Sequence, residues 1–285
     1  MTYQTIDVKP LAGNIGAEVF GVDLSKDLDQ QTFSEVHQAF LDHLVIFFRD
    51  QDISTEQQGN FVKRFGPLIH DPFIQAPEGQ PEVMMVTRKE HETYTFGEAW
   101  HSDSSYMEKP PLGSFLYCLE APDVGGDTMF ANQYLAYDSL SEGMKKMLDG
   151  LTAIHTAEGY NNSLVTKFKD DWSIRPRYDD VMKAAAEIVS EHPVVRTHPE
   201  TGRKALYVSR GYTRYFKGWS FDESRVLIDW LANHAVRPEF TCRFRWRSGS
   251  LAMWDNHCAQ HAPLNDYRNK RRVMRRIVAQ GDRPV

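Results

Sequence analysis

The stretch Arg271-Arg272-Val273-Met274-Arg275-Arg276-Ile277-Val278 decides how the chain is to be folded. Taken as a basic patch, it belongs on a surface. Taken as a strand, its side chains alternate: Arg272, Met274 and Arg276 share one face, and Val273, Arg275 and Ile277 share the other. At about 3.3 Å per residue, Arg272 and Arg276 are then roughly 13 Å apart along the strand. If that face points inward, each guanidinium needs its own anion, because an unpaired buried charge is very costly. A solvated edge strand whose charges deter pairing is the competing reading, and the residues themselves leave both open.

Working outward, short strand-like runs recur. In Phe240–Trp246, Phe240, Cys242, Phe244 and Trp246 share one face, opposite Thr241, Arg243 and Arg245. Leu44–Phe48 is a compact buried-strand candidate, and Gly16–Leu24 a strand entering a turn. Glu82–Thr87, Trp100–Tyr106, Gly113–Leu119, Asp127–Ala131, Leu151–Thr156, Val194–Thr197, Ala205–Val208 and Leu251–Trp254 are further strands. Helical spacing covers Thr32–His43, where Phe33, Val36, Ala39 and Phe40 are apolar. Ser54 with Gln57, and Ser220 with Glu223, are helix-opening pairs; Ser141–Asp149 and Asp179–Ser190 are further helices. Many short strands with peripheral helices predict an α+β, mainly β fold with a double-stranded β-helix (jelly-roll) core. One domain over 1–285 is expected, with a polar insertion around 158–191 that serves as a lid or as a contact in a homo-oligomer.

Composition narrows the function. At 285 residues and 41% apolar content, the chain can bury a large core. A net charge of -6 with no run of like charge gives no electrostatic support to nucleic-acid or membrane binding. No apolar stretch approaches a membrane span, and Met1–Pro10 lacks a secretory pattern. Three widely spaced cysteines fit a reduced, cytoplasmic protein.

Two segments carry metal chemistry. Trp100-His101-Ser102-Asp103 would place His101 and Asp103 on one face of a strand. Far downstream, Trp254-Asp255-Asn256-His257-Cys258-Ala259-Gln260-His261-Ala262-Pro263 offers two imidazoles. Two histidines and one carboxylate on one side of a metal leave positions open, the arrangement of iron(II) oxygenases. His257 and His261 compete for the third place, and the two together could instead hold a zinc ion in a hydrolase. A non-catalytic binding protein is the other alternative. His155, in a strand, reads as a hydrogen-bonded core histidine.

Together these segments resemble the taurine dioxygenase and 2,4-dichlorophenoxyacetate dioxygenase family of iron(II)/2-oxoglutarate enzymes. The resemblance also takes in Gly16–Val19, Gly21–Leu24, Arg64–Leu68, Gly125–Thr128, His192–Pro199 and Gln280–Asp282, in the family's order. It implies that His101, Asp103 and His261 bind iron(II), the spacing to the arginine strand selecting His261 over His257. It implies that Thr128 and Arg272 hold the distal carboxylate of the co-substrate 2-oxoglutarate, and that Arg276 reaches an acidic group on the substrate. O2 is then consumed, succinate and CO2 are released, and a small anionic substrate such as a sulfonate, sulfate ester or aryloxy acid is hydroxylated. Desaturation or cyclisation is the alternative outcome of the same chemistry. His70 or Asp71 falls at the family's pocket histidine, Ile74 at a pocket tyrosine and Gly97 near a pocket asparagine. These departures speak against taurine itself.

Overall fold

A computed structural model describes residues 3–70, 76–93, 95, 97–157 and 187–285. The long sheet is built from β1 (Asp7–Pro10), β2 (Ala17–Phe20), β3 (Val45–Phe48), β4 (Met84–Arg88), β5 (Gly113–Glu120), β13 (Leu251–Asp255) and β15 (Arg272–Ala279), in the order β1-β2-β3-β13-β5-β15-β4. Every pairing in it is antiparallel except β2 with β3. A second sheet runs β12 (Thr241–Phe244), β6 (Thr128–Asn132), β14 (Ala259–Pro263).

The two sheets share a core. Phe47 of β3 stacks on Phe244 of β12 with centroids 3.9 Å apart, and Phe130 of β6 meets Phe47 edge-on. On the other face of the long sheet, Ile46, Phe48, Phe115, Tyr117 and Met253 pack against helices α1 (Gln30–His43) and α2 (Thr55–Lys63) through Val36, Ala39, Phe40, Phe61 and Val62. β3 is therefore buried on both faces, which explains why Val45–Phe48 is uniformly apolar rather than alternating. The Ser54 hydroxyl accepts from the Gln57 amide and the Gln57 side chain accepts from the Ser54 amide, as the pair predicts.

A third layer packs beside these sheets. Helices α3 (Gln133–Asp138) and α4 (Glu142–Leu148), strands β7 (Thr152–Thr156), β8 (Val189–Pro193), β9 (Val195–Thr197), β10 (Lys204–Leu206) and β11 (Thr213–Phe216), and helix α5 (Phe221–His234) enclose a separate apolar cluster around Leu206, Phe216 and Leu231. Among the described residues no helix is long and apolar enough to cross a membrane.

Two expectations need correction. Trp100–Tyr106 is not a strand: His101 forms a single bridge and the chain then turns, with Ser104 at φ 47°. The helix expected over Asp179–Ser190 does not reach its end, because Val189 and Ser190 open β8; residues 179–186 lie outside the described residues. The insertion expected around 158–191 falls mostly on residues 158–186, which also lie outside them. β11, α3 and β14 have no counterpart in the sequence reading.

Candidate metal and co-substrate site

The arginine strand is buried on both faces, so the inward reading is the correct one. Its three central arginines meet different environments. Arg275 is satisfied by neutral acceptors: Gln58 Oε1 at 2.7 Å, Thr55 Oγ1 at 3.0 Å and the Ile53 carbonyl at 2.8 Å. Arg276 Nη2 lies 2.7 Å from Asp103 Oδ2. Arg272, 4% exposed, has Nε and Nη2 buried without a hydrogen-bond partner. Burial pushes its guanidinium below the ordinary arginine range.

His101 and His261 are brought together by backbone pairing. The His101 amide donates to the His261 carbonyl at 3.2 Å, and the His261 amide returns a bond to the His101 carbonyl at 2.9 Å. The two rings stand 4.3 Å apart on the same side of this bridge. His101 Nδ1 donates to the Ala99 carbonyl at 2.6 Å, which leaves the Nε2 lone pair free. His101 Nε2 and His261 Nε2 face Asp103 Oδ1 at 3.6 and 3.9 Å. Those separations are too long for hydrogen bonds.

They suit a shared ion. Donors about 2.1 Å from one divalent metal are separated by roughly 3.0–3.6 Å at angles between 90° and 120°, so the 3.6 Å gap fits as it stands and the 3.9 Å gap fits after closing by a few tenths of an ångström. The other oxygen of Asp103 is saturated, accepting from Ser114 Oγ at 2.6 Å, Trp254 Nε1 at 3.1 Å and Arg276. Burial would raise this carboxyl, but Arg276, His261 and His101 override it and hold it well below the usual carboxylate range. Burial pushes the His261 imidazole down to about 3, the uncharged form a metal requires.

His257 does not join this group. It belongs to a second buried cluster with His198 and Asp255. The zinc pairing of His257 with His261 therefore has no geometric support. His155 is, as expected, a buried histidine hydrogen-bonded to Ser105 Oγ at 3.0 Å.

Thr128 opens β6, 2% exposed, and its Oγ1 accepts from Trp246 Nε1 at 2.9 Å. The hydroxyl proton is thereby left to donate elsewhere. Arg272 lies over the same Trp246 ring, 5.7 Å from its centroid. A half-open pocket has Arg276 in its wall together with His70, Glu82, Val83, Met84, Met107 and Val278. His70 Nδ1 is tied to the Pro81 carbonyl. Asp71 and Ile74 lie outside the described residues. At Gly97, φ is +79° and an added Cβ would sit 3.2 Å from His101 Cε1, so no asparagine could occupy that place unchanged.

Sequence reasoning missed Ser114 and Asn256, and gave Trp254 no chemical part. Ser114 was visible as the one polar residue within Ser114–Leu119 apart from Tyr117 and Cys118, yet a lone serine in a strand carries no signal of its partner.

Comparison with known proteins places nearly the whole chain in one family. Residues 7–278 match the family described as taurine catabolism dioxygenase TauD, TfdA. An alpha-ketoglutarate-dependent sulfate ester dioxygenase from Pseudomonas putida is 36% identical, over 98% of this chain and 91% of its own. The alpha-ketoglutarate-dependent 2,4-dichlorophenoxyacetate dioxygenase of Cupriavidus pinatubonensis is 30% identical, over 99% of this chain and all (100%) of its own. A crystal structure of a taurine dioxygenase from Burkholderia xenovorans superposes with a TM-score of 0.83 at 35% identity, covering 99% of this chain and 91% of that one.

Proposed function

The chain belongs to the TauD, TfdA family of dioxygenases and is a 2-oxoglutarate-dependent dioxygenase, and on that premise we propose which residues do the work. His101, Asp103 and His261 hold iron(II). The observation that carries this is the convergence of His101 Nε2, Asp103 Oδ1 and His261 Nε2 on one buried point, with Asp103 Oδ2 already saturated.

2-Oxoglutarate fits the remaining polar groups. The Nε and Nη2 donors of Arg272 have no acceptor, and a distal carboxylate would satisfy both at once, joined by the free proton of Thr128. Bound iron(II) with 2-oxoglutarate and O2 supplies oxidative decarboxylation to succinate and CO2 and the oxygen inserted at a substrate C–H bond. The protein's part is to bind, orient and exclude water. Arg272 fixes one end of the co-substrate, and Trp254 and Phe130 wall off the His261 ring at 4.5 and 6.2 Å.

The substrate is a small organic anion. Among the described residues Arg276 is the one arginine in the pocket wall, and Val83, Met84, Met107 and Val278 give an apolar surface for the body of the molecule. His70 lies at the same pocket, and Asp71 is next to it in sequence. The relatives named for sulfate esters and aryloxy acids support an acid of this class. The two sheets and their common core support a jelly-roll barrel forming one domain. A cytoplasmic homo-oligomer is part of the same reading.

A succinate-release screen with iron(II), ascorbate and 2-oxoglutarate tests it. Sulfate esters, sulfonates and aryloxy acids are the panel, with uncharged analogues beside them. Succinate release should require the acid, and Arg276→Ala should raise the KM for that acid on the order of a hundredfold. Equal turnover of charged and uncharged analogues would remove Arg276 from substrate recognition, and no succinate with any acid would remove the reading of the substrate.

A further inference from the structure

Asp103 stands in a turn, not a strand, and so lacks the ladder that fixes its bridge-paired neighbours. Its amide and carbonyl are nevertheless both bonded, and to one side chain. The Asp103 amide donates to Asn256 Oδ1 at 2.6 Å, and Asn256 Nδ2 donates back to the Asp103 carbonyl at 3.0 Å. The second proton of Nδ2 goes to the Pro111 carbonyl at 3.0 Å, while the Asn256 amide donates to the Leu112 carbonyl at 2.9 Å. Asn256 is wholly buried, at 0% exposure.

We propose that Asn256 is a positioning residue for the metal centre, its carboxamide replacing the missing β-ladder at Asp103. This rests on the metal-binding role of His101, Asp103 and His261 given above. Three pieces of chain are aligned by the one group. Asn256 lies in the turn between β13 and β14, five residues before His261 on the second of those strands. It holds the backbone of Asp103, and it holds the segment at Pro111 and Leu112 that leads to Ser114, whose hydroxyl saturates Asp103 Oδ2. His101 is tied to His261 by its own backbone bridge. All three ligands are thereby referred to the one turn that carries the chain from β13 in the long sheet to β14 in the second sheet.

The chemistry fits asparagine and no other residue as well. One acceptor and two donors are needed in a plane at that length. Aspartate has the shape but would aim an acceptor at the Asp103 and Pro111 carbonyls, and an alanine would leave the Asp103 amide and two carbonyls buried without partners.

Titration of the metal-stripped full chain with Mn(II), followed by the EPR signal of free Mn(II), tests the proposal without reference to turnover. Asn256→Ala should weaken Mn(II) binding by about 10–100-fold, the range for groups that orient ligands. Asn256→Asp should weaken it at least as much. Gln58→Leu is the control: Gln58 is equally buried and bonds to the Phe115 carbonyl and to Arg275, but touches no member of the metal group. It should lower the melting temperature and leave Mn(II) affinity unchanged. If Asn256→Ala does not fold, Asn256→Ser is measured in its place, with a smaller loss of affinity expected. Wild-type affinity in the soluble Asn256 variant overturns the proposal, and so does an equal loss in Gln58→Leu. His261→Ala separates the two levels. Loss of Mn(II) in that variant with none in Asn256→Ala refutes Asn256 alone, whereas retention in His261→Ala refutes the metal reading itself.

Discussion

Among the described residues the protein buries two clusters of identical composition, two histidines and an aspartate each, and they differ in how their polar atoms are used. In the cluster of His198, Asp255 and His257 both histidines are hydrogen-bonded to the aspartate. His198 Nε2 donates to Asp255 Oδ2 at 2.8 Å, while its Nδ1 accepts from the amides of Glu200 and Thr201 at 3.1 Å. The amide and Nδ1 of His257 both donate to Asp255 Oδ1, at 2.9 and 2.8 Å. The carboxylate is closed on both oxygens by protein. In the cluster of His101, Asp103 and His261 only one oxygen is closed, and the other faces two imidazole nitrogens across gaps of 3.6 and 3.9 Å. Composition and burial cannot distinguish the two; the state of each lone pair does. A brace spends its lone pairs on protein donors, and a metal site keeps one from every ligand aimed at a common point.

The largest effect expected from this difference comes from removing a charge from each aspartate in turn. Asp103→Asn should lower Mn(II) affinity on the order of a hundredfold or more and abolish succinate release. Asp255→Asn should keep Mn(II) affinity near wild type and lower stability by about 1–3 kcal/mol, because an amide cannot accept from both histidines. Mn(II) titration and urea unfolding of the two variants side by side decide the matter. Equal loss of metal affinity in both would erase the distinction between brace and site.

The same contrast divides the arginine strand. Arg275 has found its acceptors within the protein and Arg272 has not. Arg275→Met should therefore destabilise the protein by about 1–3 kcal/mol, leaving Gln58 and the Ile53 carbonyl without a donor. Arg272→Met should leave the metal-stripped protein as stable as the wild type or more so, since it removes an unpaired buried charge. Its cost falls on the co-substrate instead, with the 2-oxoglutarate requirement for succinate release rising on the order of a hundredfold. Destabilisation in Arg272→Met would show that the strand needs this guanidinium for folding.

How much of this could be read from the sequence depends on the range of the forces involved. Helix α1 and the Ser54–Gln57 cap were legible because periodicity and capping are local. The alternation of β15 was legible too, but which arginine would be left without a partner was not: Arg275 is answered by Gln58, 217 residues away in sequence. His101, Asp103 and His261 were singled out by motif order. The strand geometry first assigned to His101 and Asp103 was wrong, because a turn held by Asn256, 153 residues on, places that carboxylate. His257 and His261 look alike in sequence. Only the donor already filling Asp255 tells which of them is spent.

Protonation offers the finest test of the comparison. Burial depresses the imidazoles of His155, His192 and His257, and takes His261 to about 3. In the unfolded chain these rings titrate near 6.5. Above that pH neither state binds a proton at them, so they add no pH dependence. As pH falls below about 6.5 the unfolded chain takes up protons that the folded chain refuses, and stability declines by up to about 1.4 kcal/mol per pH unit for each ring. Asp103 and Asp255 are both depressed, so what they contribute is present above about pH 4 and is lost only at lower pH. The decline between pH 6.5 and 5 therefore owes nothing to Asp103 or Asp255 and is set chiefly by the depressed histidines. Replacing His257 by glutamine should flatten that slope, measured by urea unfolding of the metal-stripped protein, by up to about 1.4 kcal/mol per pH unit. An unchanged slope would mean that His257 is already charged beside Asp255 in the folded protein, making the brace an ion pair and not a neutral hydrogen-bonded chain.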